Sequence, residues 1–217
     1  MTITRFDKPG KLLKHALNDW LDDYITMPHQ ALGRDGAICP FVEPSIRAKS
    51  LELVSHAWRA PQEPAAMVRL IDDATTLFRE TRWRSANRTL HALVVAITDL
   101  GEDGWWLIDE GHRLAKDDAV AKGIMLGQFH PRCRAPAARN PWFPVNRAPL
   151  PLIAIRNMAF HDVLFLHDNP RWFEHYQERF GHYFDGSRKI DPKLAELYAE
   201  AEQRRVPMPA AHLAGHE

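Results

Sequence analysis

The stretch MLGQFHPRCRAPAARNPWFPVNRAP, residues 125–149, ends an apolar run on a histidine. Arg132, Arg134, Arg139 and Arg147 follow it, with no acid among them and five prolines stiffening the segment. Pro131 removes a ladder donor, so a strand reaching His130 weakens there and the chain can turn away. An imidazole at such a point is placed to ligate a metal or haem, or to act as a general base. The guanidinium groups beyond it are planar, bidentate donors for carboxylates or phosphates. One histidine and an arginine loop are the smallest kit for holding haem, with His130 as the iron ligand and Arg132, Arg134 and Arg139 on the propionates. The same kit holds a carboxylate substrate. It is also compatible with a histidine that only caps a strand, its arginines in solvated pairs.

Three other groups could carry chemistry. In PHQALGRDGAICPFVEPS, residues 28–45, Cys39 precedes Pro40 and could give iron a thiolate, or pack as a small hydrophobe. His29 in the same segment could serve as a distal proton donor or simply bond to backbone. His161, with Asp162 or Glu43, could join His130 in a two-histidine, one-carboxylate iron site. Trp142, inside the arginine loop, could pack on a macrocycle or plug the loop down.

These residues need elements to hold them. Leu13, Leu17, Trp20, Leu21 and Tyr24 share one face of a helix over residues 11–26. Residues 28–44 read as an ordered loop, and 46–57 as either strand or irregular segment. Met67, Leu70, Ile71, Ala74, Leu77 and Phe78 follow helical spacing after a PQEP start. TLHALVVAIT, residues 89–98, is a continuous apolar run and predicts a buried strand. Residues 104–122 predict a second helix stopped by Gly123. Strands are expected at 124–130 and 150–161. A further helix is capped by Asp168 or Asn169 with Pro170 in its first turn, and a charged helix spans 191–204. The order predicts an α+β fold, a small and partly antiparallel sheet covered by helices, ferredoxin-like or a split variant. One domain over residues 1–205 is expected, with its core at about 65–184, the 11–45 segment packed on it and a disordered tail at 206–217.

Lysine plus arginine equals aspartate plus glutamate, 28 each, so any basic site must be local, and nucleic acid and membranes are not expected partners. No apolar run reaches the roughly 18 residues of a membrane span. The N-terminus lacks the apolar core of a signal peptide. A cytoplasmic location is expected. Cys39 and Cys133 are far apart and outside any CxxC motif, so reduced thiols are expected and a structural zinc site is not.

The motifs PHxxLGRxGxxCPFV at 28–42 and GxMLGQFHP leading to RNPxFPxNRxPxPLIAIRxM at 123–158 resemble a bacterial family defined as a domain of unknown function, over residues 15–182. The run GQFHPRCRAPAARNPWFPVNR also resembles the GLHPxxSRxxRRxxxPxxVFN signature of the YqcI/YcgG family. Members of that family include haem-dependent oxygenases that N-hydroxylate guanidino or amino groups of amino acids. The resemblance implies haem at His130 and the following arginines, with Cys39 in the family's cysteine segment. Two positions depart from the pattern: CPF stands where the family has FPC, and Cys133 stands where the signature has serine.

The leading expectation is therefore a haem-dependent oxygenase oxidising a small amine or amino acid in specialised metabolism. Its partners would be that small substrate and an electron-donor protein, with a homodimer left open. The alternatives are a non-catalytic binding or accessory domain for a small carboxylate or phosphate, and a mononuclear non-haem iron enzyme.

Overall fold

The computed structural model describes residues 4–204, so the expected tail at 206–217 lies outside the described residues. The chain divides into two compact units, Met1–Ala159 and Phe160–Glu217, where the sequence reading draws one domain to residue 205.

The first unit is built from helices α1 (Lys11–Trp20), α2 (Val42–Arg47), α3 (Pro64–Glu80) and α4 (Trp106–Ala121). Its strands are β1 (Leu51–Ala57), β2 (Ala92–Thr98), β3 (Ile124–Phe129), β4 (Pro136–Ala137), β5 (Asn140–Pro144) and β6 (Leu152–Asn157). The main sheet has the order β1-β2-β6-β3. β1 and β2 run parallel, Leu53 opposite Val94, with α3 as the crossover. β6 enters antiparallel between β2 and β3, with Ala154 opposite Val94 on one side and Ile155 opposite Leu126 on the other. The β2-α4-β3 unit is thus split by the last strand. The fold is α+β with a four-stranded mixed sheet and a separate two-stranded one.

β2 is apolar from Ala92 to Ile97 because both of its faces are covered. Leu93, Val95 and Ile97 meet Ile153 and Ile155 of β6 and the inward faces of α3 and α4, with Met67, Ile71, Phe78, Leu107 and Ile108 fully buried there. Val94 and Ala96 face the opposite side, where Leu17 of α1 and Leu152 close a smaller core. Gly123 adopts φ +73°, the left-handed conformation that ends α4 and turns the chain into β3. β3 lies at the sheet edge, and Nε2 of His112 on α4 bonds to the Leu126 carbonyl at 3.2 Å, covering one polar group of that edge.

α1 does not stop at Trp20. It continues as a π-helical turn over Leu21–Ile25, which the apolar spacing does not reveal.

The second unit holds α5 (Val163–Leu166), α6 (Pro170–Phe180) and α7 (Pro192–Gln203). Asn169 caps α6, its side chain accepting from the backbone N–H groups of Arg171 and Trp172. Phe173 and Tyr176 are buried, while Trp172, Phe180 and Tyr183 are only partly so. Tyr198 of α7 stacks on Phe184 at 3.9 Å. No helix among the described residues is long and apolar enough to cross a membrane.

Candidate functional site

β3 ends at Phe129, opposite Leu152, and delivers His130 to the end of the sheet. The next residues make a tight turn closed by the Cys133 N–H donating to the His130 carbonyl at 3.0 Å. That turn folds the imidazole inward. His130 is 4% exposed. Its Nε2 lies 3.0 Å from Oδ2 of Asp109, which projects from the first turn of α4. The indole of Trp105 packs on the same ring, with centroids 5.9 Å apart. Cys133 is fully buried, its Sγ 3.9 Å from Oδ1 of Asp109 and 3.8 Å from the Gln128 carbonyl. Burial pushes the Cys133 thiol up to about 11.

Past this turn the chain crosses the sheet end and meets α1. The Trp20 indole donates to the Arg147 carbonyl and the Tyr24 hydroxyl to the Val145 carbonyl, both at 3.0 Å. Tyr24 reaches that carbonyl from the π-helical turn. These side chains form an open, shallow cleft of about 640 Å³ lined by Trp20, Tyr24, Pro131, Phe143, Arg147 and neighbouring small residues. Burial raises the Tyr24 phenol and the Arg147 charge opposes that rise. The same guanidinium acts on the Cys133 thiol. It is exposed, and no acidic side chain pairs with it among the described residues.

The 28–45 loop packs against the arginine loop, so two motifs separate in sequence share one wall. Asn140 donates to the Ala31 carbonyl at 2.8 Å, and the His29 ring stacks on Phe143 at 4.3 Å. Gly33 sits against the backbone of Arg139, where a Cβ would lie 3.2 Å from the carbonyl oxygen, and its φ is +71°. Gly33→Ala is therefore expected to cost about 1–2 kcal/mol and to loosen both loops. Faster limited proteolysis at 28–40 and 131–148 would register it, whereas unchanged cleavage would contradict the docking role.

The candidate residues fare differently. Arg132 is ion-paired with Glu102 and its guanidinium lies 5.4 Å from the Trp105 ring centroid. Both partners are exposed, so the pair adds little stability. Arg134 is exposed. Arg139 contributes backbone to the loop contact. His29 is a cap, its Nδ1 accepting from the Ala31 N–H at 3.1 Å. Cys39 is a free, partly buried thiol whose N–H bonds to the Ile25 carbonyl, and it is not in the Asp109 cluster. Trp142, which could have packed on a macrocycle or plugged the loop down, is 90% exposed and does neither; its neighbour Phe143 lines the cleft, because successive strand residues face opposite ways. His161, expected on a strand, falls in a 3-10 turn of the second unit beside Phe160, since β6 ends at Asn157. Arg147 was part of the motif but not singled out. Asp109 was unmarked: it lies 21 residues before its partner, with no spacing to flag it. The His130 and Cys133 spacing, three residues apart around a proline, was a readable sign of one shared turn.

The molecule is an α+β protein whose arginine loop forms an aromatic cleft beside a partly buried Asp–His–Cys cluster. It belongs to the family described as domain of unknown function DUF6875, whose model matches residues 14–191. No curated protein and no solved structure matches the chain.

Proposed function

We propose that this domain binds a small carboxylate or phosphate ligand with an aromatic or apolar body. The observation behind this reading is the cleft of about 640 Å³ in which Arg147 is the cation among Trp20, Tyr24, Phe143 and prolines. The cleft is open to solvent over most of its extent, so it offers one face to a small molecule, and apolar walls with a few placed polar groups are how such sites bind. Arg147 offers a two-pronged donor for an oxyanion, and the rings offer stacking area. The lining includes no carboxylate, thiol or imidazole, and the Tyr24 hydroxyl is committed to a backbone carbonyl. That is recognition chemistry rather than bond-breaking chemistry.

A haem oxygenase, and with it the likeness to the YqcI/YcgG family, asks more of this geometry. His130 would give up its bond to Asp109 and its packing on Trp105, and Arg132 would leave Glu102 to reach a propionate. A hemin titration separates the readings. A Soret band that disappears in His130→Ala would replace the binding reading with the haem one.

The direct test is calorimetric titration with benzoate, phenyl phosphate and benzyl alcohol. The two anions are expected to bind and the neutral alcohol not. Arg147→Met is expected to weaken anion binding by about tenfold to 100-fold, the equivalent of one charge-assisted hydrogen-bond site. Equal binding of the alcohol, or affinity indifferent to Arg147→Met, would refute the proposal.

A further inference from the structure

We infer that Asp109, His130 and Cys133 form a binding site for a borderline divalent cation, with Zn²⁺ as the best match. One ligand atom from each lies within 4.8 Å of the other two, close enough to converge on a single ion. The donors are one carboxylate oxygen, one imidazole nitrogen and one sulfur. That mixture suits Zn²⁺, which takes tetrahedral N, S and O sets, and disfavours Mg²⁺ or Ca²⁺, which want oxygen alone.

The donors are held in place before any ion arrives. His130 and Cys133 lie on one closed turn, and Asp109 is fixed by α4, which packs along β3. His130 and Cys133 are buried, while the Asp109 side chain is 48% exposed, leaving a path from solvent to the carboxylate. One buried nitrogen of the cluster has no hydrogen-bond partner, Nδ1 of His130. Buried polar atoms are almost always satisfied, so this corner carries polar demand that protein groups leave unmet.

Three protein ligands leave a fourth position for water or for an exogenous donor, the pattern of an open zinc site rather than a closed structural one. This is not the CxxC arrangement that cysteine spacing rules out. Binding converts the Cys133 thiol to thiolate and releases its proton to solvent. The inference does not depend on the anion cleft, whose test involves neither Cys133 nor Asp109.

The experiment uses the full chain, stripped with a chelator and titrated with Co²⁺, then displaced with Zn²⁺. One Co²⁺ per chain is expected, with a thiolate-to-cobalt charge-transfer band that Zn²⁺ removes. Cys133→Ser should abolish the band and Cys39→Ser should keep it. Asp109→Asn should weaken Zn²⁺ binding by at least about tenfold, with circular dichroism showing a folded variant. If the wild-type protein gives no charge-transfer band, or the band survives in Cys133→Ser and is lost in Cys39→Ser, the site is not the one described.

Discussion

Gly111→Val is expected to destabilise the protein by about 3 kcal/mol, the upper end of what overpacking costs. Gly111 lies in the middle of α4, where that helix crosses α3. A Cβ built there would stand 2.2 Å from Cγ and 2.9 Å from Cβ of Met67, with Cδ1 of Ile71 at 3.3 Å. Met67 is fully buried, and its Cβ is fixed to the α3 backbone, so no rotamer change clears the contact. The helices must separate, and packed interiors yield little. Gly111→Ala should cost less, because helix propensity returns about 1 kcal/mol. For a chain of this size the valine variant should melt roughly 6–12 °C lower. The same displacement carries Asp109 away from His130, so Zn²⁺ affinity should fall with stability. An unchanged melting temperature in Gly111→Val would show that the crossing is looser than described.

Acidification from pH 6.5 to 4 is expected to remove about 3 kcal/mol of stability through His112 alone. Burial, helped by the nearby Lys116 charge, lowers its pKa to about 4, while the bond to the Leu126 carbonyl and Asp109 work the other way. The sign follows from the two states. Above pH 6.5 the ring is neutral in both the folded and the unfolded chain and contributes no pH dependence. Between 6.5 and 4 the unfolded chain takes up a proton that the folded one refuses, so the unfolded state gains. Below 4 both are charged and the loss is complete. His112→Gln retains an N–H donor for Leu126 but does not titrate. Urea unfolding across this range should therefore show a steeper fall for the wild type than for His112→Gln. Parallel curves would mean that the folded ring protonates freely.

Much of the scaffold was readable in advance. The apolar runs at 89–98 and 150–161 and the helical spacing at 64–80 and 104–122 follow directly from burial on one or both faces. The Asn169-Pro170 cap and the Gly123 stop are local backbone chemistry, carried by single residues, and they stand where expected. The segment 46–57 could be read as strand or irregular chain because no residue of β1 is fully buried: burial is intermediate from Leu51 to His56, and Ala57 is exposed. The π-helical turn at 21–25 was invisible, since Leu21 and Tyr24 also fit the α-helical stripe of Leu13, Leu17 and Trp20.

The candidate site was half legible. His130 and the arginine loop announced themselves by type and spacing. Which way the imidazole would turn did not, because that depends on a closed turn and on a carboxylate brought in by a helix packed beside the strand. Trp142 and Phe143 are equivalent by composition; the pleat sends one to solvent and the other to the cleft.

By itself the sequence determined the elements, because hydrophobic period and capping chemistry act over a few residues. It also determined that any cationic site had to be local, because the charges balance. Only the tertiary structure decided what those elements bring together: Asp109 with His130 and Cys133, and Arg147 with Trp20 and Tyr24. Contacts between side chains distant along the chain are set by packing, and packing leaves no fixed spacing to read.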